Sequence, residues 1–228
     1  MDQAGQPDSD AARTKRKEEH ELSFWRELLT PLLADPAKAA TMGAWYEPFY
    51  TTFFGLTKQD YAGRRILDIG CGPMGTLEWA DVAQERVGLD PLAPQYLELI
   101  RHRQAMQYCA APAERIPYPD HHFDQVSTFN SLDHVEDVDR TIAEIKRVVK
   151  PSGRILLIVE IDHPATETEP HQLNRTIVDR FGPEFRPVSL RLFGIHDQFD
   201  LYGALNKRVA HVPGKPGLLC ARLEQAGA

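Results

Sequence analysis

The stretch Arg65-Ile66-Leu67-Asp68-Ile69-Gly70-Cys71-Gly72-Pro73-Met74-Gly75 constrains this chain more than any other. Ile66 and Leu67 with Ile69 predict a buried strand that ends in a glycine turn, and the run Thr76 to Ala83 predicts a helix after it. Glycines at 70 and 72 let backbone N–H groups approach a ligand where a side chain would clash. A second apolar stretch, Val87-Gly88-Leu89, ends at Asp90, 22 positions after Asp68. An acid at the end of the second strand of an open α/β sheet stands where it can accept both hydroxyls of a ribose. The pattern predicts an adenosine-containing cofactor.

Gly70, Gly72 and Gly75 spell GxGxxG, a pattern shared with NAD-binding folds. Three details point instead to S-adenosylmethionine (SAM). Asp68 stands two residues before the first glycine, Pro73 and Met74 widen the loop, and Trp79 is bulky where a dinucleotide turn wants a small residue.

In order along the chain, Arg65 to Gly75, Gly88-Leu89-Asp90-Pro91, Ala113-Glu114-Arg115-Ile116-Pro117-Tyr118-Pro119-Asp120 and Phe123-Asp124 to Asp137 resemble the class I SAM-dependent methyltransferases. The resemblance is to the small-molecule type with a compact, methyltransferase-11-like core, and covers roughly residues 60–161. It implies an α/β fold: a Rossmann-like, seven-stranded, mostly parallel sheet with helices on both faces and an N-terminal helical lid. It also implies a cofactor site of Asp68, Gly70, Cys71, Gly72, Gly75, Asp90, Pro91, Ala113, Glu114 and Asn130. The loop of Ala113 and Glu114 would border adenine. The family often has Asp just before that pair; here Pro112 offers neither an acceptor side chain nor an N–H.

The sequence of 228 residues has 42% hydrophobic and 26% charged residues, the balance of one globular domain. A formal net charge of −7 argues against binding to nucleic-acid phosphates. Cys71, Cys109 and Cys220 suggest no disulfide framework and point to a reducing, cytoplasmic setting. No apolar run reaches a membrane span. Residues 1–19, polar and charged, are expected to be a disordered leader, 20–59 a helical lid and 60–228 the methyltransferase domain. Within the middle segment, Leu22 to Leu33 has helical spacing, and Met42 to Leu56 is dense in aromatics. Those aromatics are read either as packing on the sheet edge or as a lid, with Trp45, Tyr46 and Tyr50 touching substrate. Strands are expected at 65–69, 86–90, 106–110, 124–130 and 154–161, with a clear amphipathic helix from Val138 to Val149. Lys150-Pro151-Ser152-Gly153 reads as its stop. Gln172 to Phe181 reads as helical, and Phe185 to Phe193 with Leu218 to Leu223 as a closing hairpin.

The fourth strand ends in Asn130-Ser131-Leu132-Asp133-His134. Asn130 is placed to bind the cofactor's amino group, Asp133 to touch the acceptor, and His134 to act as general base, since an ordinary imidazole titrates near neutrality. The competing reading of His134 is a structural hydrogen bond to a backbone carbonyl. On the next loop His163, Glu169 and His171 are read as acid–base or substrate contacts, with loop-fixing hydrogen bonds and a divalent metal as the other readings. Their spacing matches no strong metal motif, and no metal is expected. The resemblance implies methyl transfer to an oxygen or nitrogen of a small-molecule acceptor, as in natural-product or sugar metabolism. Two rivals are a non-catalytic SAM-binding protein and an NAD-linked oxidoreductase. The oligomeric state and the acceptor's identity are not legible.

Overall fold

The computed structural model describes residues 10–100, 105–195 and 201–227. Seven strands form one sheet: β1 (Arg65–Ile69), β2 (Glu85–Leu89), β3 (Gln107–Cys109), β4 (Phe123–Phe129), β5 (Val149–Ile161), β6 (Phe185–Gly194) and β7 (Gly217–Gln225). Their order is β3-β2-β1-β4-β5-β7-β6. All pairings from β3 to β5 are parallel, and β7 runs antiparallel between β5 and β6. The order reverses between β1 and β4, so their carboxyl ends open a crevice at the switch point.

Period-two alternation splits the core between the two sheet faces. Leu67 and Ile69 of β1, Ile155, Leu157, Val159 and Ile161 of β5, and Leu219, Ala221 and Leu223 of β7 belong to one cluster. Ile66, Leu156, Ile158, Leu218 and Cys220 belong to the other. The first face is covered by α5 (Val138–Val148), whose Val138, Ile142, Ile145 and Val148 form one buried stripe. Asp137 caps it by accepting the Arg140 N–H at 3.0 Å. The second face is covered by the aromatic segment. Gly43–Tyr46 and Thr52–Phe54 are 3-10 turns around α3 (Glu47–Tyr50), and they bury Tyr46, Phe49, Tyr50 and Phe54. Packing on the sheet therefore accounts for most of these aromatics. A short helix, α2 (Pro36–Thr41), precedes them, and two more, α4 (Ala93–Leu99) and α6 (Leu201–Lys207), follow β2 and β6.

Several expectations are corrected. α1 spans Asp10–Leu33, so residues 10–19 are helical and not a disordered leader; residues 1–9 lie outside the described residues. This polar helix is held by ion pairs to distant loops: Arg13 to Glu136 at 2.7 Å and Arg16 to Glu167 at 3.1 Å. The predicted helix over 76–83 is instead a series of tight turns closed by Glu78 N–H to Gly75 O at 3.0 Å and Ala83 N–H to Ala80 O at 3.0 Å. Trp79 turns inward there, donating to the Thr76 carbonyl at 2.8 Å and packing on Tyr50 and Tyr61. α5 ends at Val148, just before Lys150 to Gly153 as expected, but those residues are already part of β5. β5 begins at Val149, which pairs with Phe123, and the next pairing is Gln125 with Arg154, so the intervening residues bulge out of the ladder. The segment 175–181 is a 3-10 run.

Candidate active site

A cavity of about 500 Å³ lies at the carboxyl ends of β1, β2 and β4. One wall is the glycine turn. Gly70 and Gly72 adopt φ of +67° and +54°, and a Cβ on Gly70 would lie 2.2 Å from the Ser131 side chain, so only glycine fits. Gly75 lies away from the cavity and serves the turn: its carbonyl oxygen would be 2.5 Å from a Cβ on Gly43.

Asp68, fully buried at the end of β1, is held by three hydroxyl donors. Tyr50 and Thr76 donate to Oδ2 at 2.8 and 2.5 Å, and Ser127 to Oδ1 at 2.8 Å. Burial pushes its pKa up to about 6 even though these bonds favour the charged form. Asp90 ends β2. Its Oδ2 accepts the Gly72 N–H at 3.2 Å and its Oδ1 the Leu92 N–H at 2.9 Å. Burial, with the nearby charge of Glu21 second, pushes Asp90 up to about 7. Cys71, Pro91, Ala113 and Glu114 also line the cavity, and burial raises the Cys71 thiol. The Glu114 carboxylate is committed to the backbone, accepting the Glu136 and Asp137 N–H groups at 2.7 and 3.1 Å. Pro112 lines the wall beside it.

The fourth wall belongs to α1. Lys17, Glu21 and Trp25 follow one another at four-residue spacing, on one helix face, and all reach the cavity. Glu21 accepts from the Tyr96 hydroxyl at 2.9 Å, Trp25 lies over the Gly72 turn, and Lys17 donates to the His134 carbonyl. Sequence reading missed these residues, together with Thr76, Ser131 and Tyr202. The four-residue spacing of Lys17, Glu21 and Trp25 was the available signal.

The structure separates the remaining sequence-predicted residues. Tyr46 and Tyr50 line the cavity, whereas Trp45 is 50% exposed and does not. Asn130 lines it with a φ of +50° and a buried Oδ1 that has no partner among the described residues. His134 lines it too, with Nε2 buried and 3.6 Å from Glu169 Oε1. Asp133, His163 and Glu169 stand behind it. His163 Nδ1 is 2.9 Å from the Pro164 carbonyl, and Nε2 is 3.5 Å from Asp133 Oδ2. His171 is drawn off by its Nε2, 2.8 Å from the Val135 carbonyl, and lies outside the cavity wall.

The sheet order and the crevice at its switch point are those of the class I SAM-dependent methyltransferase fold. Residues 67–157 match the family described as methyltransferase domain. Among curated proteins the chain is similar to a ubiquinone/menaquinone biosynthesis C-methyltransferase UbiE of Cupriavidus necator, 32% identical over 42% of this chain and 43% of the relative. The protein of that name from Pseudomonas putida is 30% identical over 58% and 53%. The chain thus spans about half the length of the curated relatives it matches. Among solved structures, a SAM-dependent methyltransferase from Mesorhizobium loti aligns with a TM-score of 0.53 at 18% identity, over 73% of this chain and 92% of that one. The 4+2 cyclase SpnF aligns with a TM-score of 0.61 at 18% identity, over 92% and 95%. These likenesses show the fold. No described helix is long and apolar enough to cross a membrane.

Proposed function

We propose that this protein transfers the methyl group of SAM to a small-molecule acceptor held between the cofactor and His134. The observation that carries the reading is the buried Asp90 carboxylate at the end of β2, facing a cavity whose other wall is the Gly70–Gly72 turn. A buried carboxylate pushed up to about 7 has donors to gain, and two ribose hydroxyls supply them. Gly70, Cys71, Gly72, Asp90, Pro91, Ala113 and Glu114 would hold the nucleoside, and Asp68 and Asn130 the amino-acid end.

When bound, SAM supplies an electrophilic methyl on a sulfonium. The protein's part is alignment: it fixes the donor from one side and the acceptor from the other, and α1 keeps water out. His134 accepts a proton from the acceptor. Asp68 stays hydrogen-bonded throughout and anchors the donor. We assign α1 and the aromatic segment the role of a cover over the site, with Tyr46 and Tyr50 lining the acceptor end.

We favour oxygen or nitrogen as the methylated atom, because Ser131 and His134 give the acceptor wall polar groups. Similarity to C-methyltransferases favours a second reading, transfer to carbon. Product analysis with isotope-labelled SAM tests both, since only an O- or N-methyl product fits the first. SAM bound without turnover on any acceptor would instead favour a binding protein.

A further inference from the structure

Behind His134 lie Asp133, Glu160, His163 and Glu169, which the proposed methyl transfer does not use; His134 Nε2 faces this group, which leaves Nδ1 for the proton of the acceptor. Asp133 is fully buried, and neither of its carboxylate oxygens has a hydrogen-bond partner among the described residues. The Nε2 atoms of His134 and His163 are buried and equally without one. Glu160 and Glu169 complete the surroundings, and no described lysine or arginine is ion-paired with any of these three carboxylates. The Asp133 carboxylate beside its Nε2 pushes the His163 pKa up to about 9, so three buried or half-buried carboxylates share a single imidazolium, a costly excess of negative charge.

The geometry of Asp133, His134 and Glu169 is that of a ligand set. Ligand atoms of Asp133, His134 and Glu169 lie within 4.8 Å of one another. His134 Nε2 and Glu169 Oε1 are 3.6 Å apart, and His163 Nε2 and Asp133 Oδ2 are 3.5 Å apart. Both exceed an ordinary N–H···O bond. The first approaches the ligand-to-ligand edge, about 3.4 Å, of a tetrahedron with metal–ligand bonds near 2.1 Å; the second joins Asp133 to His163, which lies outside the ligand set. Two strand ends make the convergence possible. Asn130 after β4 and Asp162 after β5 both adopt positive φ, +50° and +60°, and turn the following loops toward one another.

We propose that Asp133, His134 and Glu169 bind a divalent transition-metal ion beside the methyl-transfer cavity. One imidazole with two carboxylates suits zinc, manganese or iron better than magnesium or calcium. His163 is a positioning residue: its Nδ1–H donates to the Pro164 carbonyl, and its Nε2 faces the second oxygen of Asp133. Three protein ligands leave open positions, and His134 is the member on the cavity wall. An acceptor bearing a pair of oxygens is the class of substrate that such an ion would orient. That last assignment rests on the methyl-transfer reading; the ion site does not.

The test uses the full chain without a polyhistidine tag, stripped with a chelator and checked for native near-UV circular dichroism. Zn²⁺, Mn²⁺ and Co²⁺ are titrated separately by calorimetry, with Co²⁺ absorption as a second readout. One equivalent of at least one ion is expected, with affinity lowered tenfold or more in Glu169→Gln and in His134→Ala. Glu169 is half-buried on a loop outside the sheet, so its variant keeps the test valid if a His134 or Asp133 variant fails to fold. Folded wild-type protein that takes up none of the three ions, or takes one up equally well in both variants, overturns the proposal. SAM titrated into the same samples separates the two ideas: SAM binding without metal removes only the ion site, and metal binding without SAM removes only the methyl-transfer reading.

Discussion

The carboxyl ends of β1 and β2 and those of β4 and β5 both present buried carboxylates, yet they treat them in opposite ways. Asp68 receives three hydroxyl hydrogen bonds, and Asp90 receives two backbone N–H groups. Asp133 receives none within ordinary hydrogen-bond geometry among the described residues, and faces only the His163 imidazole at 3.5 Å. The cofactor half is therefore organised by the chain itself. The proposed acceptor half has buried polar atoms with no hydrogen-bond partner among the described residues. A pocket built this way holds its donor in one fixed pose and reserves its unsatisfied groups for the acceptor and what helps bind it.

The largest effect should come from breaking the organised half. Asp68→Ala strands the hydroxyls of Tyr50, Thr76 and Ser127 in a buried site, and should cost about 3–5 kcal/mol in denaturant unfolding. A loss below about 1 kcal/mol would mean that the network is not what fixes this end of the cavity.

Next in size is His134. As the base, or as a group that holds the acceptor, its replacement by alanine should lower turnover about a hundredfold while SAM affinity changes little. His171→Ala should cost turnover far less, because its Nε2 is 2.8 Å from the Val135 carbonyl and outside the cavity. Equal losses would remove the contrast between the two histidines.

A tenfold effect is expected from pH. Asp90 sits at about 7 in the empty fold against an ordinary 3.8. Its buried proton stabilises the empty protein fully below the unfolded value, and that stabilisation is lost as pH rises through about 7. Binding of ribose hydroxyls favours the charged form, so SAM affinity should rise about tenfold between pH 6 and 8. Asp90→Asn should flatten this dependence in calorimetric titrations.

The smallest effect concerns α1. Arg13 and Glu136, 2.7 Å apart with side chains 46% and 43% exposed, make a screened pair. Arg13→Ala should cost well under 1 kcal/mol of stability. Hydrogen exchange across α1 should still slow when cofactor and acceptor bind together, if the helix acts as a cover. Equal protection with and without ligands would leave it a static wall.

How much of this was legible follows the same division. β1, β2 and their acids are contiguous motifs, so Asp68, the glycine turn and Asp90 could be read directly, and β1 has the expected bounds. The stripe of α5 was legible because helical spacing repeats over its whole length. The missing helix after the glycine turn was not. Leu77 and Ala80 have helical spacing, but burial of Trp79 against Tyr50 and Tyr61 pulled the segment into turns. The acceptor half was legible only as separate residues. Asp133 and His134 come from one loop and His163 and Glu169 from another, and nothing in linear spacing shows that they meet. α1 was obscured by its composition, because a charged segment that would be a solvated tail alone becomes a helix once Arg13, Arg16 and Lys17 find acids across the cavity.

The central claim is that the buried acid at the end of β2 holds the ribose of SAM, and titration calorimetry on Asp90→Ala tests it most directly. Wild-type protein should bind SAM and its demethylated product, and the variant should bind ten- to a hundredfold more weakly, as loss of about 1.5–3 kcal/mol in charge-assisted hydrogen bonding requires. Wild-type protein that binds NAD but neither SAM nor its demethylated product would contradict the account.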